Sequence, residues 1–377
     1  MSHLLEVTDL HTSFMIPAGE VKSVNGVSFN LDEKKILGIV GESGSGKSVT
    51  AYSIMQILSY PGKIVGGSIK YKGKELVGLP DKEMAKLRGN KISIIFQDPM
   101  TCLNPVYTIG NQLVEAIMIH QKADAKKGKK EIKKDKNGKV IKDKDIAKER
   151  AKHMLDLVGI NDIDRRMKQY PFEFSGGMLQ RIMIAMALVC EPDILIADEP
   201  TTALDVTIQA QILELLKSIQ EKMGMAIIII THDLGVVAQI CDEVDVMYAG
   251  RIVEKGTVDE IFYNPQHEYT KGLLKSIPRL KNSTKLVPIE GNPVDVFALP
   301  KGCSFAPRCS ECMEICLEKY PQMHSVNEIH ETACFKFMQS LYEAKKISEK
   351  EFSDYLNKCE SNEKAKTEGG KKHEKAK

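Results

Sequence analysis

Apolar residues follow two different patterns along this chain. Near the amino terminus, "LLEVTDLHTSF" (residues 4–14) and "VKSVNGVSFNL" (residues 21–31) alternate apolar with polar residues, which predicts antiparallel strands. From about residue 30 to residue 260, short apolar runs alternate with helical patterns, as in an α/β domain with a mainly parallel sheet. The predicted buried strands are residues 36–40, 92–96, 194–197 and 227–230, and the predicted apolar helices include residues 49–58 and 178–190.

Other segments lack strand patterning. Residues 105–172 read as helices interrupted by a Lys-rich stretch at 122–150, in which acidic residues are interleaved with the lysines. Such a mixture favours a solvated insertion over a nucleic-acid patch. Residues 278–300 are broken by Pro and Gly and predict a linker or an extended arm. The tail, residues 359–377, is charged, and we expect it to be disordered.

Composition limits the classes of protein to which this chain can belong. The chain has 377 residues, 42% of them hydrophobic, and its net charge of +2 arises from 53 basic and 51 acidic residues. This balance gives no overall field that would favour nucleic acid or an anionic membrane. Glu6 and Asp9 interrupt the place where a signal peptide needs an apolar run, and no apolar run approaches the ~20 residues of a membrane helix. We therefore expect a cytosolic protein whose nine cysteines are reduced thiols or metal ligands.

The segment "GESGSGKS", residues 41–48, fits the phosphate-binding pattern G-x-x-x-x-G-K-[ST] (Walker A) and is called the phosphate loop below. It follows a predicted strand and precedes a predicted helix, as that pattern requires; an ordinary Gly-rich turn would not need Lys47 and Ser48 in register. The glycines let backbone N–H groups face phosphates, Lys47 can reach the β/γ oxygens, and Ser48 can bind Mg²⁺. The predicted nucleotide contacts are Gly41, Ser43, Gly44, Ser45, Gly46, Lys47, Ser48 and Val49.

Polar side chains follow three of the predicted strands. Asp198 and Glu199 end one strand, His232 lies just after another, and Gln97 follows a third. Ligands of open parallel sheets bind at the carboxyl ends of the strands. There Asp198 can hold Mg²⁺ through its water shell, and Glu199 can polarise the water that attacks a γ-phosphate. A histidine after a strand is by itself more often a loop or capping residue, but the other strand-end groups favour a site.

A second candidate anion site lies in "FEFSGGMLQR", residues 172–181, which we call the signature segment. Ser175, Gly176 and Gly177 begin an apolar helix, whose exposed N–H groups and positive end suit an anion. The phosphate loop already surrounds one triphosphate, so this second site would more readily face outward. We therefore predict a composite site in which Ser175, Gly176 and Gly177 meet ATP bound to another chain.

These motifs, in this order and spacing, resemble those of the ATP-binding-cassette (ABC) ATPases over residues 1 to about 260. The resemblance implies an ABC-type P-loop ATPase with a RecA-like parallel-sheet core, an antiparallel β subdomain and a helical subdomain at about 100–180. It implies two cassettes that sandwich two ATP molecules. It makes Glu199 the catalytic base, His232 the γ-phosphate contact, and Gln97 a metal and water sensor that touches the coupling helix of a transmembrane partner.

Two further roles follow from the same resemblance. It implies that Ala203, Leu204 and Asp205 form a loop that faces the opposite nucleotide site, and that Phe14 stacks on adenine. An aromatic ring at position 14 could equally be packing, whereas Phe29 is the better core candidate.

The longer stretches "FQDPMTCLNPVYTIG" and "ALPKGCSFAPRC" are similar to the oligopeptide/dipeptide permease ATPase subunits, to about residue 337. The signature segment departs from Leu-Ser-Gly-Gly-Gln at Phe174 and Met178, and the Met is similar to that of the peptide-importer branch. The resemblance implies an ATP-hydrolysing subunit at the cytoplasmic face of the cell membrane that energises peptide uptake. Its implied partners are a second homologous cassette, more often a different chain than a copy, two transmembrane permeases and, through them, an extracytoplasmic peptide-binding protein.

Three alternatives stay open. Nickel or another small solute could be the cargo. A soluble ABC protein acting on nucleic acid would be expected to have a long coiled coil or two cassettes in one chain, and neither is found here. A redox-regulated interaction module with a vestigial ATPase is disfavoured by the intact Lys47, Glu199 and His232.

The last candidate site lies in a Cys-rich region, residues 301–340, which is separated from the ATPase domain by residues 261–300 and followed by a charged segment, 341–377. Four cysteines match those that the peptide-importer branch associates with a [4Fe–4S] cluster: Cys303, Cys309, Cys316 and Cys334. The spacing alone does not decide between an iron–sulfur cluster, a zinc site and buried thiols without a metal. Cys312 could also replace one of the four ligands. We expect a structural or docking role, because nothing in the sequence connects this region to the phosphate chemistry.

Overall fold

The computed structural model describes residues 3–125, 143–202, 204–276 and 288–359. Its strands are β1 (Leu5–Ile16), β2 (Gly19–Leu31), β3 (Ile36–Val40), β4 (Gly62–Tyr71), β5 (Lys74–Glu75), β6 (Ile92–Ile95), β7 (Ile194–Asp198), β8 (Ala226–Thr231), β9 (Glu243–Tyr248), β10 (Arg251–Thr257), β11 (His324–Ser325) and β12 (Glu331–Thr332).

The helices fill the intervals between these strands. They are α1 (Lys47–Met55), α2 (Asp81–Leu87), α3 (Pro99–Cys102), α4 (Ile109–Ala125), α5 (Asp143–Leu157), α6 (Ile163–Arg166), α7 (Gly176–Leu188), α8 (Val206–Met223), α9 (Leu234–Ile240), α10 (Val258–Tyr263), α11 (Glu268–Lys275), α12 (Glu314–Glu318) and α13 (Phe335–Glu343), with short 3-10 helices at Pro171–Glu173 and Ala306–Arg308.

The two alternating amino-terminal segments form an antiparallel sheet in the order β2-β1-β4-β5, so the predicted antiparallel strands are confirmed. Val7 of β1 pairs with Phe29 on one side and with Ile69 on the other, and all three side chains are buried. Phe29 is thus a core residue, as expected.

The main sheet has eight strands in the order β11-β12-β10-β9-β3-β8-β7-β6. From β9 to β6 all neighbouring strands are parallel. Every residue of β3, β7 and β8 is buried, as expected for strands covered on both faces. The predicted α/β fold with a mainly parallel sheet is therefore confirmed, and this sheet brings the carboxyl ends of β3, β6, β7 and β8 to one edge.

Helices α4, α5 and α7 pack beside this sheet through a shared apolar cluster that includes Leu113, Ala151 and Ile182. Residues 126–142, the centre of the predicted Lys-rich insertion, lie outside the described residues, but α4 and α5 extend into its two ends. Among the helices that the structure describes, none is long and apolar enough to cross a bilayer.

The Cys-rich region is joined to the main sheet instead of lying apart from it. Strand β12 pairs antiparallel with β10, where Glu254 lies opposite Thr332, and β11 pairs with β12. The N–H of Ala333 also donates to the carbonyl of Val253 at 2.8 Å. Cys359, with which the predicted disordered tail begins, is helical and fully buried, so that prediction is wrong for this residue; residues 360–377 lie outside the described chain.

Candidate functional site

The phosphate loop lies between β3 and α1, as its sequence requires. Gly46 is the residue before α1 and has a left-handed φ of 100°. A Cβ on Gly41 would lie 2.1 Å from the Met247 carbonyl oxygen, and one on Gly46 would lie 2.3 Å from the Ser23 carbonyl oxygen. Glycine is therefore required at both positions by close backbone approach, at Gly46 also by conformation.

The side chain of Lys47 folds over the phosphate loop. Its Nζ donates to the carbonyl oxygens of Gly41 at 2.7 Å and Glu42 at 2.9 Å. Burial lowers the pKa of Lys47, although the charges of nearby carboxylates oppose that effect. Ser43 and Gly44 at the tip of the loop are exposed, Ser45 is buried, and Val49 is half-buried at the start of α1. An ammonium group thus lies among backbone groups where phosphate oxygens are expected.

Asp198 and Ser48 lie together at the end of β7. The Ser48 hydroxyl donates to Asp198 Oδ1 at 2.8 Å, and the Tyr52 hydroxyl donates to Oδ2 at 3.0 Å. Burial raises the pKa of Asp198, and these two hydrogen bonds oppose the rise. A hydroxyl and a carboxylate at this separation form an oxygen donor set of the kind that Mg²⁺ prefers. Tyr52 was missed from the sequence, although its place four residues after Ser48 puts it on the same helix face.

The Glu199 side chain receives contacts from three polar groups. Gln97 Nε2 and the Thr202 hydroxyl donate to Oε2, at 2.7 Å and 2.8 Å, and His232 Nδ1 lies 3.2 Å from Oε1. Burial alone would raise the pKa of Glu199, but the hydrogen bonds of Thr202 and His232 and the charge of Lys47 hold that pKa below its ordinary value. Glu199 also has a φ of 47°, an unusual conformation for a residue with a side chain.

The structure thus collects Gln97, Asp198, Glu199 and His232 at one sheet edge with the phosphate loop. Thr202 was missed, and its only signal is its position three residues after Glu199 in "EPTT". The arrangement offers a phosphate cradle, oxygen donors for Mg²⁺ and an ionised carboxylate beside them. It can therefore carry out phosphoryl transfer to water by positioning and charge stabilisation.

The signature segment presents the start of α7 to solvent. Ser175 and Gly176 are exposed, and Ser175 makes no side-chain capping bond to its helix. Apart from its chain neighbours and the backbone of α7, no atom of the described residues lies within 4 Å of the place where a Cβ on Gly176 would stand. Gly177 is more confined, because a Cβ there would lie 3.0 Å from Ile208 Cγ2 of α8. The first N–H groups of α7 are consequently available for an external anion.

Two other predicted residues have local roles in the structure. Asp205 caps α8, because its Oδ1 accepts the N–H of Ile208 at 2.9 Å. Ala203 lies outside the described residues, and Leu204 packs against the apolar cluster of the main sheet. Phe14 is half-buried at the far end of β1, and a Cβ on Gly62 would lie 2.7 Å from its ring. The predicted contacts of Asp205 and Phe14 with nucleotide stay predictions.

The four cysteines of the Cys-rich region line one small cavity of about 20 Å³, whose wall includes Phe305, Pro321 and Phe335. Burial raises the pKa of Cys303 to about 12 and that of Cys309 to about 11, and it also raises those of Cys316 and Cys334. No three His, Cys, Asp or Glu side chains of the described chain are arranged to hold a metal ion. The donors suit a soft metal, but the cavity has room for about one water-sized group, so a cluster would require the surrounding segments to move apart.

The Cys-rich region contacts the phosphate loop, a connection that the sequence did not show. Arg308, adjacent to Cys309, forms a two-pronged ion pair with Glu42 of the phosphate loop. The two residues are 266 positions apart, so no local sequence pattern reports the contact.

Comparison with known proteins shows which proteins this chain is similar to. A family model described as ABC transporter matches residues 24–202, and one described as oligopeptide/dipeptide transporter, C-terminal region, matches residues 253–316. The dipeptide transport ATP-binding protein DppD of Bacillus subtilis is 53% identical over 89% of this chain and 95% of its own length. The oligopeptide transport ATP-binding protein OppD of Salmonella typhimurium is 49% identical over 90% of this chain and 95% of its own length.

Solved structures agree on the fold. The ATP-binding cassette MJ0796, in a dimeric post-hydrolysis state bound to ADP and Pi, matches with a TM-score of 0.56 and 24% identity over 67% of this chain and 98% of its own. The cbiO1 protein from Clostridium perfringens, part of the cbiONQ transporter complex, matches with a TM-score of 0.55 and 27% identity over 70% of this chain and 92% of its own. The cassette fold, the phosphate loop and these matches together show that the chain belongs to the ABC transporter family of ATPases.

Proposed function

We propose that this chain is the ATP-hydrolysing subunit of an importer that takes up dipeptides or oligopeptides. The observation that carries the proposal is the joint placement of the Ser48–Asp198 pair and the Gln97–Glu199–His232 group beside one phosphate loop. The names of similar proteins, dipeptide and oligopeptide transport ATP-binding proteins, support the choice of cargo over nickel or another small solute.

Each residue has a distinct part in the proposed reaction. Bound Mg²⁺ neutralises phosphate charge, and Ser48 and Asp198 are the residues that would hold it. Lys47 exchanges its contacts with Gly41 and Glu42 for oxygens of the nucleotide. Glu199 stays ionised at neutral pH because its pKa is low, so it can accept a proton from the attacking water.

The groups around Glu199 would orient its carboxylate, and one of them would contact the nucleotide. Gln97 and Thr202 both donate to Oε2, whereas Oε1 lies near His232 and is the oxygen that can turn toward water. His232 has an exposed side chain, at 59%, and can therefore reach a γ-phosphate.

The exposed start of α7 supports a composite site with a second cassette. Ser175, Gly176 and Gly177 would bind the nucleotide held by the partner, and the partner would reciprocate. Asp205, the N-cap residue of α8, lies beside this surface, because Ile208 of the first turn of α8 is the neighbour of Gly177. A second, different cassette is the partner we propose.

A groove next to Gln97 supports contact with a transmembrane permease. The groove has a volume of about 420 Å³ and is mainly apolar, and its lining includes Phe96, the residue before Gln97, as well as Leu103 and Met183. Val106 and Tyr107 are also exposed, at 72% and 54%. A helix from the permease would lie in this groove, so that movement there reaches Gln97 and then Glu199. The chain would thereby act at the cytoplasmic face of the membrane.

Reconstitution tests the function. The chain is assembled in proteoliposomes with its two permeases, its second cassette and the extracytoplasmic binding protein, and uptake of labelled peptides and of ⁶³Ni²⁺ is measured with and without ATP. We expect ATP-dependent peptide uptake that is lost in Lys47→Ala. ATP-dependent uptake of nickel without uptake of peptide would show that nickel is the cargo. Unchanged peptide uptake in Lys47→Ala would contradict the proposed nucleotide site.

We also propose that Cys303, Cys309, Cys316 and Cys334 are the ligands of a [4Fe–4S] cluster, with zinc as the competing outcome. Their convergence on one cavity supports the ligand set, although the segments around this cavity of about 20 Å³ would have to move apart to admit a cluster. Because burial keeps these groups protonated in the absence of a compensating cation, metal binding would have to release protons. Cys312 is exposed, which is why we leave it out of the set.

A further inference from the structure

Two independent contacts from outside the phosphate loop end on Glu42. Arg308 Nη1 lies 2.6 Å from Glu42 Oε2 and Nη2 lies 3.0 Å from Oε1, which is a bidentate ion pair. The backbone N–H of Glu42 donates to the Tyr269 hydroxyl at 2.8 Å. The Arg308 side chain is only 4% exposed, so this pair is far less screened than a surface pair.

The Cys-rich region fixes the position of Arg308. The 3-10 helix Ala306–Arg308 lies between Cys303 and Cys309, and Phe305 before it packs with its ring centroid 5.4 Å from those of both Tyr248 and Tyr269. Backbone carbonyls hold the guanidinium from the other side: Nε donates to Glu290 at 3.1 Å and Nη2 to Ile289 at 3.4 Å. The guanidinium is thus held in one orientation before any nucleotide arrives.

The charge of Glu42 makes this contact relevant to ATP. The phosphate loop must receive a highly negative triphosphate, and a free carboxylate within the loop would repel it. Lys47, whose Nζ contacts the Glu42 carbonyl, also experiences the charge of the Glu42 carboxylate. Arg308 neutralises that carboxylate and holds it on the side of the Cys-rich region.

We propose that Arg308 is a positioning residue for nucleotide binding, through which the Cys-rich region sets the ATP affinity of the phosphate loop. It acts by cancelling and restraining the charge of Glu42 and makes no contact with the reacting atoms. The inference rests on the proposed nucleotide site. It predicts a change in ATP affinity much larger than the change in kcat of the assembled transporter, because Glu199 and its hydrogen-bond partners are untouched.

A double-mutant cycle on the full chain tests this charge relation. ATP binding in the presence of Mg²⁺ is measured by calorimetry for the wild type, Arg308→Gln, Glu42→Gln and the double variant. We expect Arg308→Gln to raise the Kd on the order of tenfold, because the carboxylate is left unpaired beside the phosphates. We expect Arg308→Gln/Glu42→Gln to return to within about threefold of wild type, because the repulsion is gone.

Rescue by Glu42→Gln separates positioning from a purely structural role. If Arg308 only held the Cys-rich region together, removing the Glu42 charge would not restore affinity, and an unrescued Kd would overturn the proposal. An unchanged Kd in folded Arg308→Gln would also overturn it. If Arg308→Gln does not fold, Arg308→Lys keeps the charge but loses the two-pronged geometry, and it should give a smaller rise in Kd that Glu42→Gln removes.

Two controls complete the design. Lys255 pairs at 2.9 Å with Glu331 and also joins the Cys-rich region to the main sheet, but not at the phosphate loop. Lys255→Gln should leave the Kd for ATP unchanged; an equal rise there would mean that any loosening of the region suffices and would overturn a specific role of Arg308. Lys47→Ala distinguishes a failure of the proposed nucleotide site from a failure of the proposed role of Arg308. Normal ATP binding in Lys47→Ala would mean that the phosphate loop is not the nucleotide site.

Discussion

The nucleotide site and the cysteine-lined cavity are built in opposite ways. Asp198 ends a fully buried parallel strand, Glu199 follows it, and Gln97 and His232 follow the neighbouring strands, so the sheet fixes where their backbones lie. The cysteines lie next to a 3-10 helix, in a short helix and in loops, and their region joins the sheet through the short strand β12 and through side-chain contacts. A strand-end site can be located from sequence spacing because the sheet supplies the geometry, whereas a loop-built site depends on contacts that spacing does not contain.

The largest effect should come from the centre of the strand-built site. Glu199→Gln should lower steady-state ATP hydrolysis by the assembled complex by about 10²–10⁴-fold, because the attacking water loses its base. ATP binding should persist, because Lys47, Ser48 and Asp198 remain. Thr202→Val is the matched control, since it removes one hydrogen bond to Glu199 and should cost far less. Near-normal turnover in Glu199→Gln would show that another group is the base.

The composite-site hypothesis is tested at Gly176, where a side chain has open space. Gly176→Asp should reduce hydrolysis by the complex by about 10²-fold, because its carboxylate would meet the partner's γ-phosphate, whereas Gly176→Ala should cost much less. Gly177 is less suitable, because Ile208 would crowd any side chain there. ATP binding by the isolated Gly176→Asp chain should match wild type; if it collapses, the signature segment acts on its own chain's nucleotide.

The loop-built site is tested through its metal content. Anaerobically purified protein should be brown and contain about four iron and four sulfide per chain. Cys309→Ser should lose both, and Cys312→Ser should lose neither. Colourless protein with one zinc would assign a zinc site, and colourless, metal-free protein with a normal melting temperature would show that these cysteines only pack.

The smallest predicted effect comes from the contact between the Cys-rich region and β10 and α10 of the cassette. His330 is fully buried with Nε2 2.8 Å from Glu254 and Nδ1 3.2 Å from Glu260, and Asn327 donates to the same Glu260 carboxylate. Burial opposes protonation, but the two carboxylates outweigh it and raise the pKa of His330. The ion pair therefore stabilises the fold fully below about pH 6.5, the ordinary histidine pKa, and is lost as pH rises through the higher folded pKa.

Denaturant unfolding between pH 5 and 9 checks this sign. The free energy of unfolding should fall by on the order of 1 kcal/mol above neutral pH in wild type. The fall should be smaller in His330→Gln than in a matched surface variant, His3→Gln. Parallel pH profiles for wild type and His330→Gln would contradict the assignment.

Particular residues show how far the sequence could go. The sequence predicted β3, β6, β7 and β8 to within one or two residues, because the covered strands of a parallel sheet form nearly continuous apolar segments. Strand β4 was missed, because "GKIVGGSIKY" contains three glycines and its register follows from pairing with β1. Tyr52 and Thr202 carry a positional signal but no motif. Arg308 has no such signal in the sequence, because its contact with Glu42 forms only when the Cys-rich region folds onto the sheet.

The pairing of β12 with β10 has a further consequence for solubility. A chain cut near residue 300 would expose the outer N–H and C=O groups of β10, a ready template for pairing with strands of other molecules. It would also remove His330, the buried partner of Glu254. The Cys-rich region thus covers the outer edge of β10, and we expect truncated forms to aggregate even where their nucleotide motifs are intact.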